Sequence, residues 1–265
     1  MPSAELRGRR FHYEDSGGSG LPLVLSHGFL MDSEMFAPQV AAFSGRHRVI
    51  TWDQRGHGRT TSGDEPYSYW DSADDLAGLL DHLAVQRAVL GGMSQGGFLS
   101  LRFALSYPER TAGLVLIDTQ AGTEDPDKSL QYDLMHDVWV NSGPNDQLLE
   151  MVAAIIVGNQ RPESEAWIAK WNARDPRSLT RIYRTLMDRD DLTDRLGEIV
   201  APSIVIHGAE DTAIDLELAE ALCRGLKGCE KVVRIEGAGH DSSETHPKPV
   251  NVAIERFVAS LGQPV

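Results

Sequence analysis

Gly92-Met93-Ser94-Gln95-Gly96-Gly97 is the stretch whose reading decides the fold. It follows Ala88-Val89-Leu90, a short apolar run of strand character, and leads into the segment from Phe98 to Tyr107, which reads as a helix stopped by Pro108. The flanking glycines permit a sharp strand-to-helix turn that leaves the serine hydroxyl exposed at the strand's carboxyl end. The helix N-terminus behind it favours developing negative charge. In a chain with 25 glycines a G-x-S-x-G pattern alone is a moderate signal, but the strand before it and the helix after it make it a strong one.

Outward from this turn, apolar runs alternate with helix-length patterns. Leu23-Val24-Leu25, Val49-Ile50-Thr51-Trp52, Leu114-Val115-Leu116-Ile117, Ile204-Val205-Ile206 and Val232-Val233-Arg234-Ile235 are nearly continuous and largely β-branched, as strands buried on both faces should be. Trp70 to Leu83 carries Ala73, Leu76, Leu80 and Leu83 on one helical face. Glu5-Leu6-Arg7 and Arg10-Phe11-His12-Tyr13, followed by Ser16-Gly17-Gly18-Ser19-Gly20, predict an antiparallel hairpin at the sheet edge. The sum is an α/β fold with a mostly parallel, doubly wound sheet of about eight strands. Between residues 122 and 197 the alternation stops. Four helix-like pieces begin there near Pro126, Pro144, Pro162 and Pro176, which predicts a helical cap on a core of residues 1–121 and 198–265. The cap holds Trp139, Trp167 and Trp171, three of the chain's five tryptophans, with Met135, Met151 and Met187. They either pack the cap onto the core or line an apolar substrate pocket beneath it.

A chain of 265 residues suits one large domain with an insertion, because single cores grow to roughly 250–300 residues before chains split. Hydrophobic residues at 41% and charged residues at 24% set intrinsic disorder and fibrous repeats aside. A net charge of −14 argues against nucleic acid and anionic membranes as partners and leaves a small-molecule substrate. Cys223 and Cys229 are too few for a disulfide scaffold and lack the second pair of a zinc site, so reduced thiols and a cytoplasmic location are expected. No leader-like or membrane-spanning apolar run is present.

A serine hydroxyl needs a base. Among nine histidines His240, in Glu236-Gly237-Ala238-Gly239-His240-Asp241 after the last strand, has the glycine loop and the chain position for it. His12, His47, His82 and His136 are expected on surfaces or half-buried faces, His207 in local packing, and His246 at the surface. The base needs an anionic partner. Asp211 in His207-Gly208-Ala209-Glu210-Asp211 is the first choice, and Asp118 at the end of Leu114-Val115-Leu116-Ile117 is the competitor; Asp215 is read as a helix cap. The backbone amides of Phe29, after Ser26-His27-Gly28, and of Gln95 are the expected oxyanion donors, with the Phe29 side chain facing the acyl pocket.

These motifs resemble the α/β-hydrolase superfamily, in its cap-bearing branch of small esterases, lactonases, C–C bond hydrolases and cofactor-free haloperoxidases. The likeness covers nearly the whole chain through His27-Gly28-Phe29, Asp53-Gln54-Arg55-Gly56-His57-Gly58-Arg59, the Gly92 to Gly97 turn, His207 to Asp211 and Gly239-His240. It implies a scaffold role for Arg55 and His57 and a part for His27 in shaping the oxyanion turn. Ser94 stands where haloalkane- and epoxide-processing relatives carry Asp, and the lipase HGGG motif is missing, which disfavours those activities. The implied function is hydrolysis of a carboxylic ester or lactone without metal or organic cofactor. C–C cleavage, perhydrolysis or oxygenase and lyase chemistry on the same serine and histidine, and non-catalytic ligand binding, are the alternatives.

The segments placed at the carboxyl ends of the strands carry many acids, including Asp32, Glu34, Asp53, Asp118, Glu124, Asp211, Asp215 and Glu244, against Arg55, Arg59 and Lys128. That pattern predicts an acidic mouth that prefers neutral substrates.

Overall fold

The computed structural model describes residues 2–63, 65–158 and 162–262. Eight strands form one sheet: β1 (Ser3–Leu6), β2 (Arg9–Asp15), β3 (Leu23–Ser26), β4 (Val49–Trp52), β5 (Ala88–Met93), β6 (Thr111–Ile117), β7 (Ser203–Gly208) and β8 (Val232–Ile235). Their spatial order is β1-β2-β4-β3-β5-β6-β7-β8. The β1–β2 hairpin is antiparallel, β2 joins β4 antiparallel, and every later pairing is parallel. Every residue of β3 to β6 is buried, which is why these runs read as continuous apolar stretches instead of alternating ones.

The topology places the site. From β3 the chain crosses to β4 on one side and then returns to β5 on the other. A crevice therefore opens at the carboxyl ends of β3 and β5, where open α/β sheets bind ligands. The loops after those two strands carry Phe29 and Ser94.

Ten α-helices are present among the described residues: α1 (Ala37–Phe43), α2 (Tyr69–His82), α3 (Gln95–Ser106), α4 (Pro126–Ser142), α5 (Asp146–Ile156), α6 (Glu163–Asn172), α7 (Leu179–Met187), α8 (Leu216–Gly225), α9 (Ser242–Thr245) and α10 (Pro247–Ser260). Side chains of α2, α3 and α8 build one apolar layer, and those of α1 and α10 join residues of α4 to α7 in a second. Helix α2 starts at a capping box, Ser68 accepting from the Asp71 amide and Asp71 from the Ser68 amide, one residue before the predicted start. The helices α4 to α7 lie between β6 and β7, and three of their starts fall within three residues of Pro126, Pro144 and Pro162; at Pro176 a 3-10 turn precedes α7.

Two expectations are corrected. Cys223 and Cys229 form a disulfide, with Cα atoms 5.3 Å apart, instead of remaining thiols. The chain folds back directly after α8, with Leu226 N bonded to Leu222 O and Cys229 N to Leu226 O, and this turn brings the sulfurs together. Asp215 occupies the N-cap position of α8 but makes no side-chain cap bond. Its carboxylate accepts from Lys128 Nζ at 3.2 Å, across to α4. No described helix is long and apolar enough to cross a membrane.

Candidate active site

Ser94 sits between β5 and α3 at φ 50, ψ −114, in the left-handed region that non-glycine residues rarely occupy. Its amide donates to Ile117 O, and its carbonyl accepts from the Gly97 amide and from Thr119 Oγ1, both at 2.8 Å. The glycines are required by contact. A Cβ on Gly92 would lie 2.1 Å from the Gly96 carbonyl carbon, and one on Gly96 would lie 1.9 Å from Ser26 O on β3. The turn is thus wedged against its neighbouring strand, which fixes the serine at the crevice.

The His240 loop meets the acid loop after β7. His240 Nδ1 lies 2.8 Å from Asp211 Oδ2, while Asp211 Oδ1 accepts the Ala213 and Ile214 amides at 2.8 and 3.1 Å. Burial works to raise the Asp211 carboxyl, but the positive His240 ring, its hydrogen bond, His207 and the Ile214 amide outweigh burial and hold it below the usual carboxylate range. Burial likewise opposes a charged His240, yet the Asp211 carboxylate pushes its pKa up to about 9, with Asp118 and Asp241 adding to the pull. Ser94 and His240 line the same cavity. The Ser94 hydroxyl makes no hydrogen bond to a described residue, a contact that commonly tightens only with substrate in place.

Asp118, the competing acid, does not pair with His240. It is fully buried at φ 47, its Oδ1 accepting the Gly208 amide at 2.8 Å and its Oδ2 lying 2.9 and 2.7 Å from the amide and hydroxyl of Ser242. It therefore ties the acid loop to the histidine loop. Burial and the Asp211 charge push its carboxyl well above the usual range. His207 is also buried, its Nε2 bonded to Ile214 O, and Asp118, His207 and Asp211 approach one another closely enough to suggest metal ligands. The carboxylate oxygens are already engaged by amides, Ser242 and His240, so the group reads as a hydrogen-bond web behind His240 and not as an ion cage.

On the β3 side, His27 is fully buried and accepts the Gln54 amide at Nε2, while Gln54 Nε2 donates to His27 O. Asp53 accepts the Ser33 and Arg59 amides, Arg55 pairs with buried Asp75, and His57 Nδ1 bonds to Arg55 O. These contacts hold the turn bearing Phe29, in keeping with scaffold roles for His27, Arg55 and His57. The Phe29 and Gln95 amides donate to no described protein atom, Gln95 because the first helical N–H has no intrahelical acceptor.

The cavity over Ser94 encloses about 860 Å³, open mouth included. Its wall combines core residues Phe29, Leu30, Met93 and Phe98 with Tyr132, Met135, His136 and Trp139 of α4, Ile155 and Ile156 of α5, and Leu179, Tyr183 and Leu186 of α7. Of the three tryptophans expected near substrate only Trp139 lines it. Trp167 donates to Glu244 and Trp171 to Leu30 O, so these two pack the cap onto the core instead. His136, assigned from sequence to a surface or half-buried face, is half-buried and stacks on Tyr183 with ring centroids 4.3 Å apart. The spacing 132, 135, 136, 139 on α4 and 179, 183, 186 on α7 is a helical face, and that periodicity was the signal for these lining residues.

The acidic mouth is neutralised in part. Lys170 pairs with Asp32 and Glu34, Arg59 with Glu34, Arg189 with Glu124, and Lys128 with Asp215, so the expected one-sign field is broken up at these four acids, by Arg59 of the loop after β4 and by Lys128 of α4, Lys170 of α6 and Arg189 just after α7.

Comparison with known proteins follows the geometry. A family model described as alpha/beta hydrolase fold matches residues 22–150. A thermophilic esterase from Thermogutta terrifontis is similar in structure with a TM-score of 0.87 and 30% identity, over 96% of this chain and 95% of that one. The enol-lactonase of Burkholderia xenovorans LB400 is similar with a TM-score of 0.86 and 26% identity, over 97% of this chain and 100% of that one. A candidate carbamate hydrolase of Pantoea ananatis (strain LMG 20103) is 29% identical over 237 residues, 86% of this chain and 85% of the relative.

Proposed function

Because the chain belongs to the alpha/beta hydrolase fold family, we propose that it is a serine hydrolase cleaving a carboxylic ester or lactone of a small, neutral, apolar or aromatic substrate. The observation that carries this reading is the convergence on one apolar cavity of Ser94 on its strained turn and of His240 held by Asp211. Ser94 Oγ attacks the carbonyl carbon as His240 Nε2 takes its proton, and Asp211 stabilises the imidazolium. The Phe29 and Gln95 amides receive the oxyanion, a contribution on the order of 3 kcal/mol per donor where such holes have been dissected. Collapse of the tetrahedral intermediate expels the alcohol, which takes the proton from His240 and leaves an acyl-Ser94 ester. A water molecule, deprotonated by His240, attacks that ester; the acid departs and the proton returns to Ser94. A lactone follows the same course, with its alcohol remaining tethered to the acyl group.

An esterase and an enol-lactonase among the similar structures support the bond type. The largely apolar wall supports a neutral substrate, since a carboxylate would lose hydration there without a partner. Turnover of short aryl esters and lactones by the purified protein, lost in Ser94→Ala at an unchanged melting temperature, is the expected result. Ester turnover retained in Ser94→Ala would remove Ser94 from the mechanism.

A further inference from the structure

The segment directly after His240 is held by the cap. Asp241 caps the short helix α9, its Oδ1 accepting the Ser243 hydroxyl at 2.8 Å and the Glu244 amide at 3.1 Å. In a capping box the Glu244 side chain would reach back to the Asp241 amide. Here that amide donates to Ile156 O at the end of α5, 2.9 Å away, and Glu244 Oε2 accepts the indole N–H of Trp167 on α6 at 2.8 Å. Both halves of the box are thereby given to cap helices. Asp241 Oδ2 is buried and has no donor among the described residues, a costly state that native structures seldom keep. The neighbouring acid resolves it. The Glu244 carboxyl hydrogen-bonds the Asp241 carboxyl, a bond that two ionised groups cannot make and that one proton between them supplies. Burial pushes the Glu244 carboxyl up to about 9, with the Asp241 charge and Glu163 of α6 adding to the push and the Trp167 N–H opposing it. The other charged groups around the pair are His240 on its own loop and Lys170 of α6, which lies 4.1 Å from the Trp167 ring centroid and is engaged by Asp32 and Glu34 before α1. Helices α1 and α10 contribute the neutral Gln39 and Asn251, and His246 is turned to Thr245.

We propose that Asp241 and Glu244 share one proton and, with Trp167, form a latch by which the cap positions His240 against Asp211. Glu244 is then a positioning residue that acts through the His240 loop and touches no substrate. The inference rests on the hydrolase reading for the role of His240 as base. It makes the cap part of the triad's support as well as the wall of the cavity, because releasing α6 from Glu244 frees the segment that carries the ring.

The test compares Glu244→Gln, which keeps both bonds without a titratable proton, with Glu244→Ala and Trp167→Phe, which each remove the bond to α6. Melting curves read the proton. The folded pair keeps its proton up to about 9 while unfolded Glu244 loses it near the ordinary value, so wild-type stability is lost as pH rises through that window and Glu244→Gln is spared. The Tm of Glu244→Gln minus that of wild type should therefore grow by at least about 4 °C between roughly pH 5.5 and 8.5. A difference that stays flat overturns the shared proton. NMR titration of the His240 imidazole reads its position. Its pKa should fall by about one unit in Glu244→Ala and in Trp167→Phe, where the ring is loosened from Asp211, and stay within about 0.3 of wild type in Glu244→Gln. The first two variants should also lose roughly ten-fold in kcat for an aryl ester, and Glu244→Gln less than about three-fold. A His240 titration unmoved in both, or moved as far by Gln as by Ala, overturns the positioning role; Trp167→Phe carries this arm should Glu244→Ala fail to fold. Neither the melting curves nor the titration needs a substrate. If both behave as expected and no ester is turned over, the hydrolase reading fails and the latch stands; ester turnover with an unmoved His240 has the opposite meaning.

Discussion

A non-glycine residue at φ 50 costs on the order of 1–3 kcal/mol, and Ser94 is kept there by bonds on both sides, its amide on Ile117 O and its carbonyl under Gly97 and Thr119. The strain aims the hydroxyl into the cavity. The two acids behind His240 differ in what they face. Asp211 faces the imidazole, and Asp118 faces Ser242 and the Gly208 amide. Asp211→Asn should therefore lower kcat by roughly 10³–10⁴-fold, whereas the loss in Asp118→Asn should be at least about ten-fold smaller. The pH profile separates them further. His240 is a base only when unprotonated, and the Asp211 charge raises its pKa, so kcat/KM should fall as pH drops through a value above the ordinary 6.5 of histidine. Removing that charge in Asp211→Asn moves the acid limb to lower pH. Asp118→Asn should move it less, because the pull of Asp118 on the imidazole is smaller than that of the Asp211 charge and its hydrogen bond. A limb that moves only in Asp118→Asn would transfer the role of the acid. Sequence distinguished Ser94 and His240 by their glycine loops. It left both acids open because each ends a strand at the same sheet edge, and only the path of the loops decides which one reaches the ring.

At the scale of elements, β5 and α3 meet so tightly that neither glycine of the turn tolerates a side chain. Gly96→Ala would drive a Cβ into the Ser26 carbonyl of β3, backbone that cannot yield without breaking the sheet. Its stability loss in denaturant titration should exceed about 3 kcal/mol, with little soluble protein; a loss below about 1 kcal/mol would mean that the turn is not wedged against β3. The strands were legible because residues buried on both faces give continuous apolar runs. Helices α4 to α7 were legible as helices from their prolines, but not as a wall. Trp139 and Trp167 look alike in sequence, and only tertiary packing separates the one over Ser94 from the one bonded to Glu244. The Cys223–Cys229 bridge escaped notice because it depends on a turn, after α8, that residue spacing does not dictate.

For the molecule as a whole, the net charge of −14 remains, yet much of the acid near the cavity is paired with Lys170, Arg59, Arg189 and Lys128. Preference for neutral substrates should then come from the cost of desolvating a charge in an apolar cavity and not from a long-range field. The ratio of kcat/KM for a neutral ester over its carboxylate-bearing analogue should persist at roughly 0.5 M salt, where exposed charges are screened beyond a few ångströms. A ratio that collapses on adding salt would restore the field. Every expectation on this scale depends on the covalent step at Ser94. Its most direct measurement is intact and peptide mass analysis of the His240→Ala variant after exposure to an activated aryl ester, with Ser94→Ala as the control. An acyl mass increment on the peptide containing Ser94, missing from the control, is the expected result, and hydrolysis of the same ester by the wild-type protein with no such adduct on Ser94 under any quench would contradict it.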